Sequence, residues 1–196
     1  MDSENSASAI RAFVAVRMGE AIEQAVAAFQ DSLRRLGADV AWTKPDNFHL
    51  TLRFLGTRVA PGPLAAIQIA LARMAANIAP FPIEVSGAGA FPSLARPRVI
   101  WVGLRSDGLK DLAGAVESLA VASGLPAETR PYTPHLTIGR VRAPQRVAML
   151  RQLLAGASQQ RFGTARIDEV LLYQSLLSPQ GANYRVLARF ALAGHA

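Results

Sequence analysis

Two short segments of this chain carry the residues best suited to chemistry. Phe48-His49-Leu50-Thr51-Leu52-Arg53-Phe54-Leu55 and Pro134-His135-Leu136-Thr137-Ile138-Gly139-Arg140 each place a threonine two positions after a histidine. In both, apolar residues alternate with polar ones, the period of a strand with one face in the core and one face open. The first segment puts His49, Thr51 and Arg53 on its open face. The second puts His135 and Thr137 there, and Arg140 joins them only if Gly139 carries a bulge. A single His-x-Thr on a strand is more often an ordinary exposed pair than a catalytic one. Two such pairs among only three histidines change the balance, and the third, His195, reads as part of a frayed terminus.

Together the pairs suit displacement at phosphorus. That reaction needs one group to take a proton from attacking water and another to protonate the leaving oxygen. Imidazole, with an ordinary pKa of about 6.5, serves either role near neutrality. Threonine hydroxyls on the same face donate hydrogen bonds to the non-bridging oxygens, where charge is held in the transition state. No metal is required, and the sequence has no His-x-His pair, HExxH motif or cysteine cluster to hold one.

The elements that position these residues follow from periodicity. Ile22, Val26, Phe29, Leu33 and Leu36; Leu64, Ile67, Leu71, Met74 and Ile78; and Leu109, Leu112, Val116 and Leu119 advance in steps of three and four, so three amphipathic helices are predicted. A fourth helix is predicted from about Pro144 to Leu154. Strands are predicted over Ile10 to Val16, Phe48 to Leu55, Phe81 to Val85, Arg98 to Leu104, His135 to Gly139, Ile167 to Tyr173 and Tyr184 to Leu192. A motif strand followed by a helix occurs around His49 and again around His135, the mark of two similar lobes. The class is α+β, with residues 1–9 a disordered start and residues 10–196 a single bilobal domain.

Composition sets outer limits. The 196 residues are 51% hydrophobic and 18% charged, with no cysteine, so disulfides and thiol chemistry are excluded and the fold rests on packing. The polar, acidic opening is unlike a signal peptide, and the most apolar stretch is interrupted by Gln68, Arg73 and Asn77, so a cytoplasmic protein away from the membrane is expected. A net charge of +7 permits an anionic partner. The predominance of Arg over Lys is as well explained by genome composition as by phosphate binding.

Trp42-Thr43-Lys44-Pro45-Asp46-Asn47-Phe48-His49-Leu50-Thr51-Leu52-Arg53-Phe54-Leu55-Gly56 and Arg130-Pro131-Tyr132-Thr133-Pro134-His135-Leu136-Thr137-Ile138-Gly139-Arg140 resemble the paired HxTx signatures of the two-histidine phosphoesterase superfamily. More narrowly they resemble those of the bacterial and archaeal RNA 2′,3′-cyclic phosphodiesterases, also named 2′-5′ RNA ligases. The opening strand Arg11 to Val16 also resembles that family's first strand. The resemblance implies a bilobal, pseudo-twofold fold, with two antiparallel-rich sheets facing across a central cleft and helices outside. It implies metal-independent opening of an RNA 2′,3′-cyclic phosphate to a 2′-phosphomonoester, with a weak reverse 2′-5′ joining reaction. His49 would donate the proton to O3′, His135 would accept one from water, and Arg140 would hold phosphate. Arg53 and Arg130 are further candidates for phosphate, and Phe13 either stacks on the terminal base or belongs to the core. The expected partners are RNA ends, such as tRNA fragments or oligonucleotides with a cyclic phosphate, bound by a monomer with no cofactor. Two other readings compete: a related enzyme for another cyclic phosphate or a 2′-5′ oligonucleotide, and a non-catalytic RNA-binding module. Aromatic residues at 7% give the latter little stacking surface.

Overall fold

The first strand, β1 (Ile10–Val16), is apolar on both faces, and both faces are buried. Ala12, Val14 and Val16 enter the main core, while Phe13 and Ala15 enter a small second cluster on the opposite side. A strand covered on both sides reads as an unbroken apolar run, and β1 accordingly lies inside a sheet, between β3 (Leu50–Val59) and β8 (Glu169–Ser178). The structure is a computed structural model that describes residues 8–143, 145–178 and 181–194. Most of the expected unstructured start, residues 1–7, lies outside the described residues, as does His195.

The remaining strands are β2 (Val40–Trp42), β4 (Phe81–Ser93), β5 (Arg96–Arg105), β6 (His135–Val141), β7 (Arg161–Ile167) and β9 (Gly181–Ala191). All pairings are antiparallel, in the order β7-β4-β5-β6-β3-β1-β8-β9, with β2 also on β6. The path is two four-stranded halves, β9-β8-β1-β3 and β6-β5-β4-β7, whose inner strands share one residue pair, Leu50 with Leu136. A cleft of about 840 Å³ opens between them, lined by Thr51 and Phe54 from β3, His135, Thr137 and Arg140 from β6, and Tyr132.

Four helices cover the other face. α1 (Glu20–Arg34) buries Ile22, Val26, Phe29 and Leu33; α2 (Pro61–Ala75) buries Ile67, Leu71 and Ala75. α3 (Asp107–Ala122) buries Leu109, Leu112, Val116 and Ala120, and α4 (Ala148–Gly156) buries Leu150 and Leu154. These are the stripes that the three-and-four spacing predicts. α2 opens on Pro61, where the missing N–H costs no helical bond. Beyond α3 the chain reverses at Gly124, whose φ of 85° lets the Leu125 N–H donate back to the Ala120 carbonyl at 3.0 Å. α1 packs on β7 and α3 on β3, so each half lends a helix to the other and one apolar core serves both. None of the described helices is long and apolar enough to cross a membrane.

Several boundaries differ from the predicted ones. The strand expected from Ile167 to Tyr173 is the end of β7 and the start of β8, separated by Asp168. β7 itself went unpredicted because Arg161-Phe-Gly-Thr-Ala-Arg-Ile is half polar and mostly exposed, as befits the edge of the sheet. β2, only three residues long, shows no period. Phe48, expected to open the motif strand, instead closes a 3-10 turn over Pro45–Asn47, its N–H donating to the Pro45 carbonyl at 2.9 Å. The fourth helix begins at Ala148, and the proposed start at Pro144 lies outside the described residues.

Candidate active site

The single pair that joins the two halves also fixes the site. Leu50 and Leu136 are buried in the core, so by strand alternation the residues on either side of each point into the cleft. Antiparallel register then sets His49 across from Thr137 and Thr51 across from His135. The two motifs meet as a near-symmetric constellation.

Both imidazoles are held the same way. The Nδ1–H of His49 donates to the Asn47 carbonyl at 2.7 Å, and that of His135 to the Thr133 carbonyl at 2.8 Å. A carbonyl only accepts, so in each ring the proton is on Nδ1 and Nε2 is left for proton transfer. The Thr51 hydroxyl lies 3.1 Å from His49 Nε2 and donates to it when the ring is neutral.

Beneath the rings the halves differ. His49 rests on Phe13, with ring centroids 4.8 Å apart, and meets Tyr184 edge-on at 5.0 Å, with Tyr173 behind them. His135 meets Phe91 edge-on at 5.0 Å. Burial in its aromatic bed pulls the His49 pKa down to about 4; the Asn47 hydrogen bond opposes this, and the charges of Arg17, His135 and Arg140 add to it. His135 is also lowered, by burial first, against its bond to Thr133 and with Arg140 adding to the shift. Both shifts favour the neutral imidazole.

The three arginines share the cleft lining but differ in their partners. Along β3 the pairing steps from Val14–Arg53 to Ala15–Thr51, so Leu52 is a bulge and the alternation changes phase. Phe54 joins Arg53 in the cleft lining, where strict alternation would place Arg53 alone. Arg53, 8% exposed, turns toward α3, where its Nε pairs with Glu117, with Glu128 3.9 Å from Nη1. It also donates to the carbonyls of Phe54 (2.7 Å) and Pro126. Arg130 is exposed at the rim and holds Glu128, whose carboxyl it keeps at about 2. All three arginines line the cleft, and of the three only Arg140 has no carboxylate partner among the described residues. On β6 the pairing steps from Ile100–Gly139 to Trp101–Thr137, so Ile138 is the bulge that puts His135, Thr137 and Arg140 on one face.

That bulge is tied down by a residue the motifs do not reveal. Gln30, on the buried stripe of α1, donates from Nε2 to the carbonyls of both Ile138 and Thr43 at 2.7 Å, and the Thr43 N–H donates to Ile138 at 3.0 Å. Its signal in the sequence was a polar side chain between Phe29 and Leu33. Phe13 is buried, stacked on Tyr173 at 5.0 Å and capped by His49, so neither of its faces is open to a base. Among the described residues no three His, Asp or Glu side chains gather as a cation-ligand set.

Arg140→Ala is expected to raise KM severalfold, because Arg140 is an exposed cation on the cleft face. Gln30→Leu should shift KM in the same direction by releasing the bulge. In the double variant the effects should fall short of additive. Steady-state kinetics of the three variants test this, and additive losses would separate Gln30 from Arg140.

The fold and the paired constellation define a two-lobed phosphoesterase. A model of the LigT-like phosphoesterase family matches twice, over residues 16–101 and 102–184, once in each half of the motif pair, and the chain belongs to that family. It is 35% identical over 184 residues to an RNA 2′,3′-cyclic phosphodiesterase of Methanothermobacter thermautotrophicus, covering 93% of this chain and 99% of the relative. It is 33% identical to the enzyme of the same name from Archaeoglobus fulgidus, covering 92% and 99%. Among solved structures, a Thermus thermophilus protein superposes with a TM-score of 0.81 at 28% identity, covering 95% of this chain and all of that one. Escherichia coli LigT complexed with 3′-AMP gives 0.74 at 27% identity, covering 94% and 98%.

Proposed function

We propose that this protein hydrolyses the 2′,3′-cyclic phosphate at an RNA 3′ end to a 2′-phosphomonoester. The observation that carries the reading is the pair of imidazoles, each with Nδ1–H committed to a backbone carbonyl, His49 hydrogen-bonded through Nε2 to Thr51, which lines one cleft with His135 and Thr137. Water attacks phosphorus and gives its proton to Nε2 of His135. The P–O3′ bond breaks, and O3′ takes the proton from Nε2 of His49. Thr51 and Thr137 donate to the non-bridging oxygens as negative charge grows there, and Arg140 attracts the phosphate. When His49 is charged its Nε2 no longer accepts from Thr51, so the hydroxyl is released to turn toward phosphate in the step that needs it. The anionic substrate itself raises the lowered imidazole pKa values and recharges the donor. Both histidines come from one chain, so the unit of function is a monomer, and RNA ends in the cytoplasm are its substrates.

An oligoribonucleotide ending in 2′,3′-cyclic phosphate, incubated with the protein in EDTA, is expected to give a terminal 2′-phosphate. The product is read by its behaviour towards a 3′-specific phosphatase and by phosphorus NMR. A 3′-phosphate product would exchange the roles of the two histidines. Loss of cleavage on chelation would overturn the metal-independent mechanism.

A further inference from the structure

The two histidines are held by carbonyls in the same way, but those carbonyls are not braced in the same way. Asn47 lies two residues before His49, as Thr133 does before His135, and each main chain accepts the Nδ1–H of its ring. The Asn47 side chain makes a further bond. Its Nδ2–H donates at 2.9 Å to the carbonyl of Ala182, 135 residues away on β9. Among the described residues no such side-chain bond ties Thr133 to a distant strand.

Ala182 belongs to the end of the β8–β9 hairpin that brings Tyr184 against His49. Ala182 pairs with Leu177 and Tyr184 with Ser175, so by alternation Ala182 and Tyr184 share a face. Tyr184 meets His49 edge-on at 5.0 Å and Phe13 at 5.1 Å. Leu176 and Leu177, at this end of the hairpin, are 46% and 72% exposed, so burial does little to hold it. A hydrogen bond from outside the hairpin counts for more there. On its own side Asn47 is fixed in the 3-10 turn, its N–H donating to the Lys44 carbonyl at 2.9 Å. One residue therefore relates the aromatic bed of His49 to the carbonyl that aims the ring.

We propose that Asn47 is a positioning residue for the proton donor, its side chain clamping the β8–β9 hairpin to the turn before His49 so that Tyr184 and the Asn47 carbonyl together hold one orientation of the imidazole. The donor role of His49 rests on the proposed function; the clamp rests on geometry alone. A neutral imidazole carries its proton on either nitrogen, and the bond made at one nitrogen decides which. With Nδ1–H engaged by Asn47, Nε2 is the nitrogen that meets Thr51 at 3.1 Å. Releasing the clamp lets hairpin and turn separate, so the ring loses that constraint and water reaches it. Both changes act on proton transfer and leave the attraction of phosphate to Arg140.

The test compares the whole wild-type protein with Asn47→Leu, which keeps the volume and removes the donor, and Asn47→Ala, which removes both. Imidazole nitrogen NMR reads the tautomer and the titration of each ring, and a chain with three histidines gives few signals to assign. In the wild type His49 should be held as the Nδ1–H tautomer. In both variants it should become a mixture of tautomers and titrate at higher pH, because water relieves the burial that chiefly lowers its proton affinity. The charges of Arg17, His135 and Arg140, which also act on His49, are untouched by the substitutions. His135 should keep its tautomer and titration, as the internal control for folding. With an RNA 2′,3′-cyclic phosphate, kcat should fall about threefold to tenfold, the scale of one hydrogen bond, with KM little changed. A His49 that keeps its tautomer and titration in both variants overturns the clamp, and so do equal shifts in both rings, which would mean a general loosening. Absence of cleavage by the wild type overturns the proposed function, and the NMR result then still decides the clamp.

Discussion

Replacing either His49 or His135 with alanine is expected to slow cleavage of an RNA 2′,3′-cyclic phosphate by about 10²–10⁴-fold, the range for a positioned proton-transfer group. Because one reaction coordinate uses both, the double variant should lose little more than either single one. The pH dependence carries the stronger discrimination. In the free protein burial lowers both imidazoles, His49 to about 4, and the working form has one charged and one neutral ring. The kcat/KM profile, which reports free-enzyme groups, should therefore be a bell lying on the acid side of pH 6.5. It should fall as pH rises, because the proton that the donor must carry is lost. The kcat profile reports the complex, where the phosphate's negative charge favours imidazolium, and its bell should lie at higher pH. Coincident profiles centred at or above pH 7 would mean that the aromatic bed of His49 does not set its proton affinity during turnover. Full activity after loss of either histidine would remove the mechanism altogether.

The aromatic bed also marks where the sequence could be read and where it could not. The strand pattern in Phe48 to Leu55 and Pro134 to Gly139 locates both His-x-Thr pairs because alternation is a local property. The pairing of Leu50 with Leu136, which brings the two motifs together, is not local, and only the repeated strand-helix order hints at it. Alternation fails where the sheet bulges. At Leu52 the failure adds Phe54 to the cleft face beside Arg53, and at Ile138 it brings Arg140 out. The second bulge has a visible cause in the glycine that follows it: a Cβ on Gly139 would lie 2.8 Å from the Val40 side chain, and β2 packs there. The first has none in the motif itself. There Arg53 pairs with Glu117 on α3, and no spacing rule connects residue 53 to residue 117. Tyr173 and Tyr184 are legible as strand residues, but their convergence on His49 is a matter of sheet order, which period-two patterning does not encode.

Arg53 shows what that distinction costs in free energy. Arg53→Met is expected to destabilise the fold by about 3 kcal/mol, in the range for breaking a buried ion pair, because the Glu117 oxygen that faces Arg53 is buried although the side chain as a whole is 29% exposed. The variant strips Glu117 of its partner and leaves the carbonyls of Phe54 and Pro126 without their donor. For a chain of this length that is a fall of roughly 6–12 °C in Tm, measured by calorimetry or circular dichroism. Arg130→Ala should leave Tm nearly unmoved, as its pair with Glu128 is solvated. A phosphate ligand would behave in the opposite way, with KM raised and Tm unmoved, and that outcome at Arg53 would return it to the substrate. The double variant Arg53→Met, Glu117→Met offers the internal control. With both charges replaced by apolar groups no unpaired carboxylate remains, and part of the lost stability should return. Recovery in Tm without full recovery in kcat would have a specific source. The loop running from Pro126, whose carbonyl accepts from Arg53, carries the Thr133 carbonyl that holds Nδ1–H of His135, so loss of Arg53 would reach the second histidine through that loop.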